Sequence, residues 1–546
     1  MNGVDSTQMN NSKVKHEPSA LSAVRAIAAR ELREHLSSAR FRLISATTLI
    51  LVALSTLAGI FNYRVQAEQY RMDLARNEQK LHEATTWSEI QPLLVRPPAP
   101  LMILNSGFET RDGRVTLASN SQIPAMTEDA PVGAPSLARF GEFDVTTVLI
   151  YLLGLLAVLL SFDAVSGERE RGTLAFSFSN SLMRWQILLG KYLGGMLALA
   201  LALAMSLVIA IIVWLVSNVH LPGAMWPRIM LWLAALLLYL SAMFWIGLLV
   251  SVLTRRASTS LLVAMLAWFA LVLFIPVVAA FASRQLAHAP SSYVLIKEIQ
   301  NLDKELEDKS AEFKKSLGAT PESEGFAISL EQGVSMNFYS PESYAWWLKY
   351  YEGRVRFERE YAQKVYQAIK KFQDQNRAQS EWAFMLAAVS PVAHIERVSN
   401  ELTGTSRDDT YYFFEAARRY QQTLVAFYDA NHLTTNLSWI SDDPPNTQSP
   451  FPKTSGLDKM NDEDSEKTVE LGKQLYAQVL AERASGKRTL ALNTLPRFDY
   501  TPQPVRRALA QVSASSCALL LINLLSAAAA FLKFRRYDVR LSGRGA

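Results

Sequence analysis

Side chains able to do covalent chemistry are few in this chain, and they are scattered. Its seven histidines, His16, His35, His82, His220, His288, His394 and His432, form no H-E-x-x-H pair and no metal spacing with cysteine. The one cysteine, Cys517, lies in an apolar stretch, so no intrachain disulfide is possible. No G-x-S-x-G turn presents a serine nucleophile. Gly190-Lys191 and Gly486-Lys487 resemble the end of a phosphate loop, but Trp185 and Ala481 stand where its first glycine belongs. The backbone cradle for ATP phosphates cannot form here, so ATP-driven work requires a partner that binds the ATP. The sequence assigns no catalytic, metal or cofactor-binding residue.

One polar stretch is more informative. It runs Asp163-Ala-Val-Ser-Gly-Glu-Arg-Glu-Arg-Gly-Thr-Leu and is followed by Ser179-Asn-Ser and by Arg184 to Lys191. The mixed charges of Glu168, Arg169, Glu170 and Arg171 suit docking against a soluble partner, and Gly172 permits a turn before Thr173. The same residues also read as an ordinary solvated loop between two apolar segments. Physics alone leaves both readings open.

The elements that carry this stretch are apolar. The 546 residues are 50% hydrophobic and only 19% charged, against about 25% charged in soluble domains. The excess is concentrated in uncharged windows, which makes this a membrane protein. The formal net charge of +5 comes from Lys and Arg crowded beside those windows, a topology signal rather than a nucleic-acid footprint.

A bilayer crossing takes about 20 residues. Six windows reach or approach that length: Leu43–Tyr63, Val145–Phe162, Tyr192–Val216, Ile229–Leu253, Ser258–Ala282 and Ala508–Leu532. Segment 1–42 then precedes the first span as a cytoplasmic N-terminus, and 533–546 follows the last as a basic tail. Arg25, Arg30, Arg33, Arg40 and Arg42 fall on the same side as Arg169, Arg171, Arg184 and Lys191 of loop 163–191. Arg255, Arg256 and the tail's Lys533, Arg535, Arg536 and Arg540 lie there too, whereas the opposite short loop holds only Arg228. Both termini are expected in the cytoplasm.

Two long segments, 64–144 and 283–507, are then extracytoplasmic. Tyr63, Ala67, Tyr70, Leu74 and Leu81 extend the first span as an amphipathic helix, and Leu295, Ile299, Leu302, Leu306 and Phe313 repeat the pattern after the fifth. These two helices either pair as a stalk or rest separately on one core. Leu101–Leu104 and Arg114–Leu117 flank an Arg111-Asp112-Gly113 turn and predict a hairpin. Helices are expected over Ser340–Phe372, Ser380–Leu402, Asp408–Ala430 and Glu466–Ser485, with a loop over Thr434–Asp464. The aromatics Trp346, Trp347, Tyr350, Tyr351, Tyr411, Tyr412, Phe413 and Phe414 fit either an apolar groove or a core. The expected fold is mainly α: a six-helix transmembrane domain with a mostly helical extracytoplasmic domain containing a little β.

The run from Ser161 to Leu174, with Ser179-Asn-Ser and Leu188-Leu-Gly-Lys-Tyr-Leu-Gly-Gly, strongly resembles the permease subunits of ABC-2 type exporters, whose usual form is close to D-x-I-S-G-E-R-E-x-G-T-L, S-x-P, I-L-x-G-K. The tail at Arg536–Arg540 also resembles that family, and the outer segments Ser390-Pro391 and Glu401–Thr405 resemble a subgroup with large extracytoplasmic insertions, related to nitrous-oxide-reductase maturation and gliding-motility permeases. Ser181-Leu182 departs from the family, which often has proline there.

The resemblance implies a bacterial inner-membrane permease, paired with a second protomer of the same or a similar kind and bound to two cytoplasmic ATPase subunits that hold the ATP. Arg25–Leu36, carrying Arg25, Arg30 and Arg33, would be a connecting helix at the membrane surface. Glu168, Arg169, Glu170, Arg171, Gly172 and Thr173 would seat in the ATPase, and spans two and five would line the path. The almost uncharged spans suit an amphipathic cargo in contact with membrane lipid. The alternative is a mechanotransmitter that relays ATPase motion to an extracytoplasmic partner and moves no cargo. A membrane-anchored enzyme lacks any catalytic constellation.

Overall fold

Ser38 starts the first span by accepting the Phe41 N–H on its side chain, and from there one helix runs unbroken over 45 residues, Ala39–Glu83 (α2). Its membrane half buries Phe41, Thr48, Val52 and Ile60, and its outer half continues as the amphipathic extension expected above. Before it lies α1, Ala20–Ser37. The computed structural model describes residues 20–108, 114–120, 144–173, 183–217, 219, 221–319, 327–329, 335–337, 341–441, 470, 474, 477, 478, 480–482, 485, 486 and 490–536.

Among the described residues, six helices are long and apolar enough to cross a membrane. The second, Val145–Glu170, is built from α3 (Val145–Val148), a π-helical turn at Leu149–Leu153, α4 (Gly154–Ser161) and, after a break, α5 (Ser166–Glu170). Then come α6 (Arg184–Val216), α7 (Trp226–Leu253) and α8 (Ala257–Phe269). The fifth span continues from α8 through a π-helical turn at Ala270–Phe274 into α9 (Ile275–Leu286). The second and fourth spans form the core, with 72% and 67% of their apolar windows buried; for the fifth the figure is 11%. Polar pairs hold the bundle where lipid offers no competing partner. Tyr192 of α6 bonds Ser241 of α7 at 2.7 Å, and Ser241 donates to Asn523 of the last span at 2.6 Å.

On the insertion side, α10 (Ser292–Ser316) runs beside α11 (Pro341–Leu386), a helix of 46 residues. Leu295, Ile299 and Leu302 pack on Ala362, Val365 and Ile369, and Phe313 stacks on Tyr350. Lys364 bridges to Glu305 at 2.6 Å. The stalk pairing therefore forms between α10 and α11 rather than between α10 and the extension of α2. The longer apolar stripe of α11 matches α10 along its whole length. Two more helices follow, α12 (Pro391–Thr403) and α13 (Arg407–Ala430), and the chain ends on the sixth span, α14 (Val505–Arg535).

Three other expectations change. The hairpin strands are β1 (Leu93–Val95) and β2 (Val115–Leu117), paired Leu94 to Thr116, while Pro100–Ile103 is a 3-10 turn. Leu101, Met102 and Ile103 are all fully buried, with no alternating exposed face for a strand to use. The Arg111–Gly113 turn lies outside the described residues. A second antiparallel pair joins β3 (Ala327–Ser329) to β4 (Ser335–Asn337). The helix expected over Ser380–Leu402 is two helices broken at Ala387–Ser390, because proline at 391 disfavours helical backbone before it. The first of them is continuous with the helix expected to end at Phe372. The Asp408–Ala430 helix is present, capped by Ser406 and Asp409. Leu433–Thr435 and Leu437–Trp439 are short 3-10 turns; most of Thr434–Asp464 and of Glu466–Ser485 lies outside the described residues.

The aromatics divide between two packed regions. Phe413 and Phe414 sit in the outer core with Trp87, Tyr420, Tyr428 and Trp439. Trp346, Trp347, Tyr350 and Tyr351 stack on one another where α10 ends against α11. They do not line one common groove.

Candidate functional site

The second span unwinds at Phe162–Val165, and the chain turns to place α5 across the end of the bundle. Two neighbours hold it there. Val165 and Ser166 donate their N–H groups to Ser251 Oγ, at 3.0 and 3.1 Å, tying α5 to the end of α7. Glu170 Oε2 accepts the Ala257 N–H at 2.9 Å, tying α5 to the first residue of α8. At the unwound turn itself, Ser260 of α8 donates to the Phe162 carbonyl. Gly172 follows with φ of +74°, a left-handed backbone that glycine adopts without strain.

The α1 helix lies along α6 with Ala23, Val24, Ala28 and Glu31 buried. The approach is close because α6 offers Gly190 and Gly194 on one face. A Cβ on Gly190 would stand 2.7 Å from Ile27, and one on Gly194 would stand 2.7 Å from the Ala28 carbonyl oxygen. The small-xxx-small spacing therefore sets the contact. Arg25, Arg30 and Arg33 all point away from it and are exposed. Arg30 pairs with Glu34 at 2.8 Å, an exposed i,i+4 contact worth a few tenths of a kcal/mol. Further along, Arg40 reaches Asp163 at 2.9 Å and lies over the Phe162 ring, joining α2 to the unwound turn.

At the meeting point of α1, α5 and α6, Lys191 Nζ donates to Glu31 Oε1 at 2.6 Å and to Glu168 Oε1 at 2.7 Å. Lys191 is 3% exposed and its two partners are nearly as buried. His35 lies 4.0 Å from Glu31, and burial holds its pKa below the usual value, so it stays neutral near pH 7 and does not cancel the second carboxylate. Glu168 Oε2 makes no hydrogen bond among the described residues. An ion triad this deep contributes little net stability when intact, because desolvation offsets the attraction, yet losing one member costs about 3–5 kcal/mol. Its consequence is geometric: α1 and α5 are fastened to the same ammonium and cannot separate cheaply.

The predicted site residues thus fall into two sets. Glu168 points inward to Lys191 and Arg169 is half-buried, whereas Glu170, Arg171, Gly172 and Thr173 are exposed. The sequence does not single out Glu31, and Lys191 enters there only as a topology charge and within the glycine-lysine and family motifs, not as a site residue. Their signals were a lone acid in the apolar stripe of α1 and a lysine beside the glycine spacing of α6. Residues 174–182, with Ser179-Asn-Ser and the Ser181-Leu182 departure, lie outside the described residues, as does the tail beyond Arg536. Arg184 donates to the Arg535 carbonyl, linking the start of α6 to the end of α14. Among the described residues no group of three or more His, Cys, Asp or Glu is placed to hold a metal ion. An exposed edge of α5 is thus fixed to α1, α6, α7 and α8 at once.

Comparison with known proteins fits this picture. A family model described as ABC-2 family transporter protein matches residues 25–441. The chain is similar to a probable ABC transporter permease protein NosY of Pseudomonas aeruginosa, 47% identical over 55 residues, which is 10% of this chain and 20% of that protein. It is similar also to a protein of the same description from Stutzerimonas stutzeri, 41% identical over 78 residues, 14% of this chain and 28% of that protein. The chain therefore spans less than a third of the length of the curated relatives it matches.

Proposed function

The chain belongs to the ABC-2 family of transporter proteins, and from that premise we propose that it couples ATP hydrolysis in a separate cytoplasmic ATPase subunit to export of an amphipathic cargo. As a member of that family it is a membrane subunit of an ABC transporter. In this reading the α5 end and both termini face the cytoplasm of a bacterium, as the Lys and Arg of the short loops favour. Glu170, Arg171, Gly172 and Thr173 form the edge that seats in the ATPase, with Arg169 beside them. Glu168 acts inside the permease, holding that edge to Lys191.

The observation that carries this is the pair of bonds from Lys191 to Glu31 and Glu168. Closure of an ATPase dimer against α5 would displace α1 and α6 with it, and through Glu170 the fifth span. This is a rigid-body transmission that needs no ionisable group along the path. Two such permease protomers, identical or paired with a similar subunit, would enclose the path between their second and fifth spans.

The test is purification from membranes in mild detergent with identification of everything that co-elutes. An ATP-hydrolysing subunit that is retained by the native chain and lost on deletion of residues 168–173 supports the reading. Retention after that deletion counts against it.

A second reading, mechanotransmission without flux, is favoured by α11. This one helix of 46 residues runs from the far side of α10 down to the fifth span, so motion of that span would swing the outer domain as a lever. Hydrolysis coupled to capture of an extracytoplasmic partner, with no cargo flux in liposomes, would select it.

A further inference from the structure

The corner between α11 and α12 sits level with the middle of the fifth span. Ser390, in that corner, donates its hydroxyl to the Leu271 carbonyl, halfway along the 30-residue helix Ala257–Leu286. From there α12 climbs back outward between the fourth and sixth spans. Its Ser399 accepts the Trp232 indole N–H at 3.2 Å, still inside the outer end of α7. Glu396 lies between these two marks, and it is a carboxylate at membrane depth.

Its surroundings are unusual for such a charge. The Glu396 side chain reaches the surface but is closely surrounded by protein, and it takes part in no hydrogen bond or ion pair among the described residues. The neighbours on α12 are occupied elsewhere, with Arg397 paired to Glu381 at 2.9 Å and Ile395 in the bundle core. The groups electrostatically coupled to it are Asp144 at the mouth of the second span and the phenols of Tyr151 and Tyr239, so no cation answers it. Asp144 itself is satisfied by Ser106 and Thr147. A carboxylate at this depth cannot face hydrocarbon; it faces water or protein. Tyr151 is half-buried, and so are Leu155 and Leu159 at successive steps of four toward the α5 end. That stripe leaves an edge of the second span open alongside Glu396.

We infer that this open edge is a wall of the export path and that Glu396 is its specificity residue, selecting amphipathic cargo that carries a cationic amine or quaternary ammonium group. The inference rests on the export reading above and narrows its cargo. The apolar stripe accepts the body of the molecule, the Tyr151 ring offers a face to the cation, and Glu396 supplies the opposite charge at the outer end.

The test uses the chain co-purified with its ATPase and reconstituted in liposomes. The probes are two fluorescent amphiphiles of matched chain length, one with a quaternary ammonium head and one with an uncharged head. The expected result is stimulation of ATP hydrolysis at an about tenfold lower concentration of the cationic probe, with that preference lost in Glu396→Gln. Equal response to both probes, response to neither, or an unchanged preference in Glu396→Gln overturns the inference. In a Cys517→Ser background, Glu396→Cys must also react with a membrane-impermeant sulfonated thiosulfonate; failure to react places the position against lipid or protein and overturns it as well. If Glu396→Lys splits a permease dimer, the carboxylate is a contact between copies and the assignment fails. Retention of the ATPase and cargo-independent hydrolysis by the native chain test the export reading separately.

Discussion

Glu170 and Ala257 join the exposed edge of α5 to the first turn of the fifth span, the carboxylate accepting the backbone N–H at 2.9 Å. A helix start carries unsatisfied N–H groups and a partial positive charge, so this contact both anchors α8 and aligns it with α5. It is a direct hydrogen bond between the proposed ATPase-facing residues and the span least buried in the bundle.

Replacing Glu170 with Ala should cost about 1 kcal/mol or less in stability, because the group is exposed. The larger effect should be on transmission. With a cysteine at Ser258 in a Cys517→Ser background, the native contact should give ATP-dependent labelling, and Glu170→Ala should abolish most of that dependence while the ATPase still co-purifies. Arg171→Glu should do the reverse and weaken co-purification itself. Identical behaviour of the two variants would show that Glu170 acts only as a docking residue.

The Lys191 triad makes a different prediction. Lys191→Met leaves Glu31 and Glu168 buried without their cation, and the loss should be about 3–5 kcal/mol, seen as a lower thermal midpoint in detergent. Adding Glu31→Gln and Glu168→Gln to Lys191→Met should recover much of that stability, since no uncompensated charge remains. Coupling should not recover, because three neutral groups no longer tie α1 to α5. Recovery of both together would mean that the triad serves only to fill space.

Burial and the nearby Asp409 and Asp408 push the Glu401 carboxyl up from its ordinary value of 4.5 to about 7. The folded state then binds a proton that the unfolded chain has already lost, so the contribution is fully present below pH 4.5 and disappears as pH rises through 7. On this account stability should fall by on the order of 2–3 kcal/mol between pH 4.5 and 8. Glu401→Gln should flatten that slope and raise the thermal midpoint at pH 8. An unchanged slope in the variant would assign the dependence to other groups.

The spans were legible because their signal is composition over about 20 residues, and tertiary contacts hardly alter it. The α5 motif was legible as a sequence, but its division into an inward Glu168 and an outward Glu170 was not. Which face of a five-residue helix is buried depends on Ser251, Lys191 and Ala257, all distant in the chain. The Leu101–Leu104 run misled for a related reason. Four consecutive apolar residues fit a strand, yet here they wedge against Gly59 of α2, where the Ile103 carbonyl oxygen would lie 2.7 Å from any Cβ. The α11–α12 corner is not legible in the sequence because neither arm is an uninterrupted apolar window, and its position is set by contacts with the fifth span, α7 and the bundle core.

That bond yields the last prediction. At the π-helical turn Ala270–Phe274 the Ile275 N–H reaches the Ala270 carbonyl five residues back. The next residue is Pro276, which has no N–H, so the Leu271 carbonyl has no partner along its own helix. Ser390 supplies the missing donor. Ser390→Ala should leave that carbonyl buried and unsatisfied, at a cost of about 1–3 kcal/mol. Pro276→Ala restores a backbone N–H in place, so Ser390→Ala should cost markedly less in that background. A double-mutant cycle on thermal stability in detergent measures the difference directly. Strict additivity would mean that Ser390 acts only as the N-cap of α12 and that proline and serine are not a compensating pair; a coupling above about 0.5 kcal/mol would establish that the outer domain is bonded to the fifth span at the point where that span is weakest.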